Sequence, residues 1–450
     1  MTRRHGCALL SAITALIVVL SAAIYVGVAA DDGDADAKNG LASVRAGAPH
    51  HSAAPASTGV WVGAWSTSPS GAEPDTETNG MAGRSVRNVV HAAVGGTSAR
   101  ITLSNLYGTQ PLTVTHASIA VAATADTATG ADAATGTMRR LTFAGATSVV
   151  IPAGEQAVSD AVPLLVPHDS DILVTTYSPT PSGPVTYHRD ARQISYVADG
   201  DRTEDVTGTA YEEQSDHWRY LTALDVLSNE SDGTVVALGD SLTDAITSTK
   251  DANHRWTDVL SDRLRTAVES GADVPRYSVV NQGISGNRVL TDGPGRPADN
   301  ASGLNRFGRD VLDRTNVKVV VIDLGVNDIL RSERPADPEK ILDGLRTLVR
   351  QAHARGIKVV GATLMPFQGH RRYTDAREEI RQEINAEIRA GKVYDAVVDF
   401  DKALRDPYNP RRLRSYYDSG DHLHPSDKGY RTMANAFDLD DLTGAAPAQL

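Results

Sequence analysis

The sequence predicts an α/β protein in two parts: an antiparallel β-sandwich followed by a parallel, doubly wound sheet. Three observations predict it. From Gly59 to about Glu230, short stretches rich in Val, Thr and Ile alternate in polarity and break at Gly, Pro and Asn. From Gly233 onward the strands become continuous apolar runs ending in Gly, Asp or Asn, as strands covered on both faces do. Helical patterns separate those runs, whereas the first half holds no long helix.

At the N-terminus, Arg3 and Arg4 precede an uncharged, largely apolar run from Ala8 to Ala30, which Asp31 and Asp32 close. This reads as a secretory signal over 1–30 with cleavage after Ala30. The run is long enough to span a bilayer, so an uncleaved signal anchor is the alternative. Either way the body of the protein is expected outside the cytoplasm, with membrane contact only if the segment stays uncleaved. Residues 31–58 are rich in Ala, Asp, Gly, Ser and Pro and read as a disordered linker. Its DDGDADAKNG stretch lacks the glycine and glutamate of a calcium loop, and His50-His51 reads as part of the same linker.

The β-rich domain, 59–230, takes its strands from 85–94, 99–108, 112–123, 147–154 and 171–178. The second domain, 231–440, takes apolar strands from 234–241, 277–283, 317–328, 357–366 and 394–400. Helices are expected over 254–269, 304–314, 337–355 and 373–390, with a tail at 441–450. Ligands of such sheets bind beyond the carboxyl ends of the strands, so chemistry is sought there.

Composition removes several function classes. Of 450 residues, 44 are basic and 56 acidic, a net charge of −12 that argues against nucleic acid as a partner. The single cysteine, Cys7, lies in the leader and excludes an internal disulfide framework, a Cys-cluster metal site and a catalytic thiol. No Gly-rich phosphate loop follows the first apolar strand, because GDSLTD (239–244) offers one glycine and two repelling aspartates.

Four segments stand at strand ends. Ser241, in GDSLTD, lies where a strand gives way to a helix, so it reads either as a helix N-cap or as a hydroxyl facing the crevice. In NQGISGN (281–287), Gly283 and Gly286 suit a tight turn, and the Gly286 N–H can approach a ligand without a Cβ in the way. In GVND (325–328), Gly325 ends the strand and Asn327 projects an amide towards the same crevice. In SGDHLHPSDKGY (419–430), Asp421 precedes His424 by three residues, a spacing that lets a carboxylate accept Nδ1–H and leaves Nε2 to take a proton. His422 is the rival base. Each segment taken singly is also an ordinary turn.

Together these blocks resemble the GDSL, or SGNH, hydrolase family of secreted and cellular esterases and lipases, over roughly 231–440. The resemblance implies a flavodoxin-like α/β/α sandwich and a carboxylic ester hydrolase without a cofactor or metal. It places the nucleophile on Ser241, the oxyanion donors on the Ser241 and Gly286 backbone N–H groups and the Asn327 side chain, and the base and its orienting acid on His424 and Asp421. Ala245 departs from the pattern, since many members carry glycine there, which puts the local loop shape in question. The elbow G-x-S-x-G of the α/β-hydrolases is absent. Trp61-Val-Gly-Ala-Trp65 is similar to the opening of the extra N-terminal region in some two-domain bacterial members.

The expected function is extracellular hydrolysis of a small-molecule or polysaccharide ester. The alternative is a carbohydrate- or wall-binding protein with little or no hydrolase activity. Asp240, Asp244 and Asp328 are read as turn caps rather than metal ligands, and Asp323 as a structural hydrogen-bonding residue within an apolar strand. His370, Phe367 and Tyr373 follow the fourth parallel strand and read as pocket lining or as surface loop. His188 reads as a solvated loop histidine, the alternative being that it reaches the crevice from the first domain, and Arg371-Arg372 and Arg411-Arg412 read as solvated faces.

Overall fold

The computed structural model describes residues 59–124 and 130–445. The expected leader 1–30, with Cys7, the linker 31–58, with His50-His51, and the last five residues of the tail lie outside the described residues. Among the described residues no helix is long and apolar enough to cross a membrane.

Two large antiparallel sheets form the body of the first half, with a three-stranded and a two-stranded sheet beside them. Its main strands are β1 (Val60–Ser66), β2 (Arg84–Ala92), β3 (Gly96–Ser104), β4 (His116–Val121), β5 (Ser170–Ser178), β6 (Ser195–Asp199) and β7 (Leu221–Ser228). One sheet runs β1-β7-β3 and continues to Val162–Val166; the other places β6, β2, β5 and β4 side by side. Alternate residues face inward and meet in one core: Val62 and Ala64, Ile101 and Leu103, and Leu224 and Val226 from one sheet, against Val86, Val90, Ile119, Ile172 and Val174 from the other. The strand expected over 112–123 is interrupted at Thr115. Leu112–Val114 pairs with Val149–Ile151, whereas β4 pairs with β5. At the break the Thr115 N–H donates to the Tyr177 carbonyl at 3.1 Å.

The second half holds β8 (Gly233–Gly239), β9 (Tyr277–Gly283), β10 (Val317–Asp323), β11 (Lys358–Ala362) and β12 (Ala396–Val398). They lie in the order β9-β8-β10-β11-β12, every neighbour parallel, which is the flavodoxin-like arrangement. The order reverses direction between β8 and β10, so a crevice opens where those two strands end. The long helices are α1 (Trp256–Glu269), α2 (Pro338–His353), α3 (Asp375–Arg389) and α4 (Asp427–Asn435). Asp337 caps α2 ahead of Pro338, which needs no hydrogen-bond partner at that position. Thr374 caps α3 by accepting from the Arg377 N–H. The helix expected over 304–314 is instead a short α-turn, Gly303–Phe307, followed by a π-turn, Gly308–Leu312. That widened turn lies where Arg306 and Asp310 pair inside the protein, 3.1 Å apart. At the other end, Leu442, within the expected tail, is fully buried in a 3₁₀ turn, Leu439–Leu442.

The described residues fall in one compact unit. β1 explains the contact between the halves: the Gly63 N–H donates to Thr234 Oγ1 of β8 at 3.1 Å. A Cβ on Gly63 would stand 3.2 Å from Val280 of β9, so the missing side chain lets the strand lie directly on the parallel sheet.

Candidate active site

β8 ends at Gly239 and the chain turns at once into a short helix, Ser241–Asp244. The N-cap is Asp240, whose Oδ1 accepts from the Leu242 N–H at 3.0 Å, so Ser241 is the first helical residue and not the cap. A first-turn N–H has no partner within its own helix, which leaves the Ser241 N–H at the mouth of the crevice. The turn fits only against bare backbone: a Cβ on Gly283 of β9 would lie 2.3 Å from the Asp244 nitrogen. Ala245 closes this helix in the left-handed region, with φ of 59° and ψ of 49°. The alanine therefore takes up the conformation that a glycine would adopt more cheaply, and the loop shape is kept.

The segment before α4 brings the expected base to this serine. His424 Nε2 lies 2.8 Å from Ser241 Oγ, and His424 Nδ1 lies 2.5 Å from Asp421 Oδ2. Asp421 Oδ1 accepts the backbone N–H groups of Leu423 and His424, at 3.0 and 2.8 Å. Partial burial pushes this carboxyl up, but the imidazole and the two amides outweigh it and hold it well below the usual carboxylate range. It is an anion at any working pH. The rival, His422, turns outward and bonds Asp418 at 2.7 Å.

The other expected donors stand on the turns that follow the two neighbouring strands, β9 and β10. Gly286 occupies the third position of the turn Ile284–Asn287, closed by the Asn287 N–H on the Ile284 carbonyl at 3.0 Å. Its φ of 77° favours glycine. Asn327 sits in the short helix Val326–Leu330 beyond β10, 5% exposed. Its Nδ2 donates to Asp240 Oδ2 at 3.0 Å, while its Oδ1 accepts from Arg331 Nε at 3.1 Å. Those two bonds fix which way the amide points and leave one N–H for the crevice. Arg331, which the sequence reading passed over, also lies against Gly286, where a Cβ would meet its Nη2 at 2.3 Å. The signal available was its position one helical turn after Asn327.

Beneath the serine lies a pair of buried carboxylates. Asp323 accepts from Thr243 Oγ1 at 2.9 Å, the structural role expected of it. Burial lifts Asp323 to about 6, and burial together with the Asp323 charge lifts Asp240 well above its ordinary value. Asp328 accepts the N–H groups of Val289 and Leu290 at 2.8 and 3.1 Å, and burial lifts it to about 6. Asp244 Oδ2 accepts the Ser285 N–H at 3.1 Å. Asp240, Asp244 and Asp328 thus bind loop amides.

His188 corrects the sequence reading. It lies on a short strand, Thr186–His188, and is 3% exposed rather than solvated. Its Nε2 is 3.0 Å from Asp244 Oδ1 and its Nδ1 is 2.8 Å from the Ser68 carbonyl. Both partners only accept, so the doubly protonated ring satisfies both. Burial works against that charge, yet the Asp244 carboxylate prevails and the ring's pKa is raised. The first half therefore holds the loop that carries Gly286, through His188, Asp244 and Ser285. Arg306, fully buried, is a second tie: it donates to the carbonyls of Gly239 and Gln282 at 2.8 and 2.7 Å, to Asn287 Oδ1 at 3.0 Å and to Ser68 Oγ at 2.9 Å.

Other expected positions fall elsewhere. Phe367 is fully buried in the core, because its ring packs edge-on to Tyr373 at 6.0 Å rather than lining the crevice. Tyr373 is half-buried and donates its hydroxyl to Asp375 at 2.9 Å. His370 is half-buried and close enough to Asp421 and His424 to feel their charge. Arg411 and Arg412 are exposed and pair with Asp375 and Asp406.

A serine, an imidazole and a carboxylate in one hydrogen-bonded line, with amide donors beside the hydroxyl, can carry out nucleophilic acyl transfer. Residues 237–432 match the family model described as the GDSL-like lipase/acylhydrolase family. This segment is a GDSL-like lipase/acylhydrolase domain. It gives residues 237–432 the fold and class of a carboxylic ester hydrolase. None of the curated proteins compared with the chain matches it significantly. Among solved structures, the chain is similar to a GDSL-like lipase from Bacteroides thetaiotaomicron (21% identity, 45% of this chain and 84% of that one, TM-score 0.32). It is also similar to a carbohydrate acetylesterase from Sinorhizobium meliloti (18% identity, 46% and 96%, TM-score 0.34). An acetyl xylan esterase is a third (20% identity, 45% and 96%, TM-score 0.34). Within the GDSL-like domain, the four blocks of the sequence reading fall at Ser241, Gly286, Asn327 and Asp421–His424.

Proposed function

We propose that the chain is an extracellular serine esterase that cleaves esters of short acyl groups, acetylated polysaccharides among them, through an acyl-enzyme on Ser241. The observation that carries this reading is the unbroken line from Ser241 Oγ to His424 Nε2 and from His424 Nδ1 to Asp421. His424 takes the Ser241 proton as Oγ attacks the ester carbonyl. The oxyanion accepts hydrogen bonds from the Ser241 and Gly286 N–H groups and the Asn327 amide. His424 then gives its proton to the departing alcohol, and water, deprotonated by the same ring, releases the acid and restores the serine.

The extracellular setting rests on Arg3, Arg4 and the apolar run that follows them. The short acyl group rests on composition, since five Phe and five Met offer little with which to line a long lipid groove. The test is hydrolysis of acyl esters from acetyl to palmitoyl, and of acetylated xylan, by the purified protein and by Ser241→Ala. Ser241→Ala should lose activity by on the order of 10⁶-fold and fail to react with a fluorophosphonate probe. A variant that keeps wild-type turnover ends the proposal.

A further inference from the structure

The protein carries a net charge of −12, yet arginines gather at the mouth of the site. Arg331 lies against Gly286 and bonds Asn327, and its side chain reaches solvent. Arg372, from the loop after β11, is exposed and donates to the Leu330 carbonyl at 3.1 Å, immediately before Arg331. Arg288, two residues beyond Gly286, donates to the Asp292 carbonyl at 2.8 Å. Arg189 follows His188 on the first half and is exposed. After burial, the like charges of Arg372 and Arg288 act against the Arg331 charge, the Asp240 carboxylate acts for it, and Arg189 acts against it more weakly, so the four arginines share one neighbourhood.

Their positive charge is only partly cancelled, by Asp240 acting on Arg331 and by Asp328 and Asp292 acting on Arg288. Among the described residues none of Arg288, Arg331 and Arg372 forms an ion pair; they bond to a carbonyl or an amide oxygen instead. The nearby carboxylates are already engaged: Asp190 by Arg189 at 3.0 Å, Asp421 by His424, and Asp328 by two backbone amides. Partly cancelled guanidinium groups repel one another in the free protein, and a bound anion relieves that repulsion. A planar guanidinium beside the oxyanion donors also presents paired N–H groups suited to a carboxylate or sulfate.

We infer that the preferred substrate is an anionic ester, with a carboxylate or sulfate within a few bonds of the scissile carbonyl, held by Arg331 with Arg372, Arg288 and Arg189 around it. This rests on the esterase reading above and narrows its substrate to acidic esters, such as acylated acidic saccharides.

The test uses two shape-matched pairs: meta-acetoxybenzoate against meta-acetoxybenzamide, with the charge on the alcohol side, and phenyl adipate monoester against its terminal amide, with the charge on the acyl side. The wild-type protein should favour the anionic member of at least one pair by about tenfold in kcat/KM at low salt, and molar salt should erode that preference. Arg331→Gln slows both members through the lost bond to Asn327, so the ratio between them isolates the charge; it should fall to about one. Arg372→Gln, which removes no bond made to the Asn327 side chain, should lower the ratio part of the way. Equal or better cleavage of the neutral member in both pairs overturns the inference, as does a ratio that neither substitution moves. Cleavage of the neutral esters leaves the esterase reading standing in either event, whereas failure to cleave any of the four overturns both.

Discussion

His188 and Asp244 face each other from opposite halves of the chain, Nε2 to Oδ1 at 3.0 Å, with side-chain exposures of 2% and 4%. A histidine of the β-rich half thus neutralises a carboxylate of the turn that bears Ser241.

Replacing His188 by Gln leaves Asp244 buried and unneutralised, so the variant should be less stable by about 3–5 kcal/mol in denaturant titration. The pH dependence has a definite sign. The ring's pKa is raised in the folded chain, so the pair's contribution is complete below the ordinary value of 6.5 and is lost as pH rises through the folded value. The stability gap between wild type and variant should therefore narrow as pH rises above 6.5. A gap that widens with pH contradicts the assigned charge.

Asp421→Asn replaces the acceptor of the Nδ1 proton with an amide and favours the wrong tautomer of His424. Turnover should drop by roughly 10²–10⁴-fold, less than for His424→Ala, with KM little altered. Because Asp421 stays ionised far into acid, its own titration should not shape the wild-type rate profile above about pH 4.

Asn327→Ala removes one donor to the oxyanion. kcat should fall by roughly 10²–10³-fold with a small change in KM. A change confined to KM would show that the amide holds ground-state substrate instead.

At Gly286, alanine meets two penalties: a φ of 77° and the Arg331 guanidinium 2.3 Å from its Cβ. Backbone strain costs about 1–2 kcal/mol. Displacement of the turn should slow turnover by at least about tenfold, since a donor moved by an ångström loses much of its effect. Thermal melting and steady-state kinetics separate the two.

The parallel half was legible because its signals are local. Each apolar run is a strand covered on both faces, and three of the four chemical blocks follow a strand end within a few residues, whereas Asp421 and His424 stand just before α4. What the sequence hid depends on partners far along the chain. Asp244 lies 56 residues from His188, and nothing near either announces the pair. Arg306, with contacts from Ser68 to Asn287, looks like any arginine on an amphipathic turn. Phe367 follows a strand end as the chemical residues do, but its ring packs into the core.

The Arg306 guanidinium bears on any attempt to treat this polypeptide as interchangeable cassettes. Its hydrogen-bond set is completed by Ser68, and the neighbouring Gln282 side chain lies 2.5 Å from the same hydroxyl. A catalytic fragment beginning near Glu230, or a chimera carrying a foreign front portion, inherits the serine and histidine but strips this keystone of a bond and Asp244 of its counter-ion. Such a graft should be poorly soluble and nearly inert even with its triad residues intact, unless the donor region supplies equivalents of Ser68 and His188.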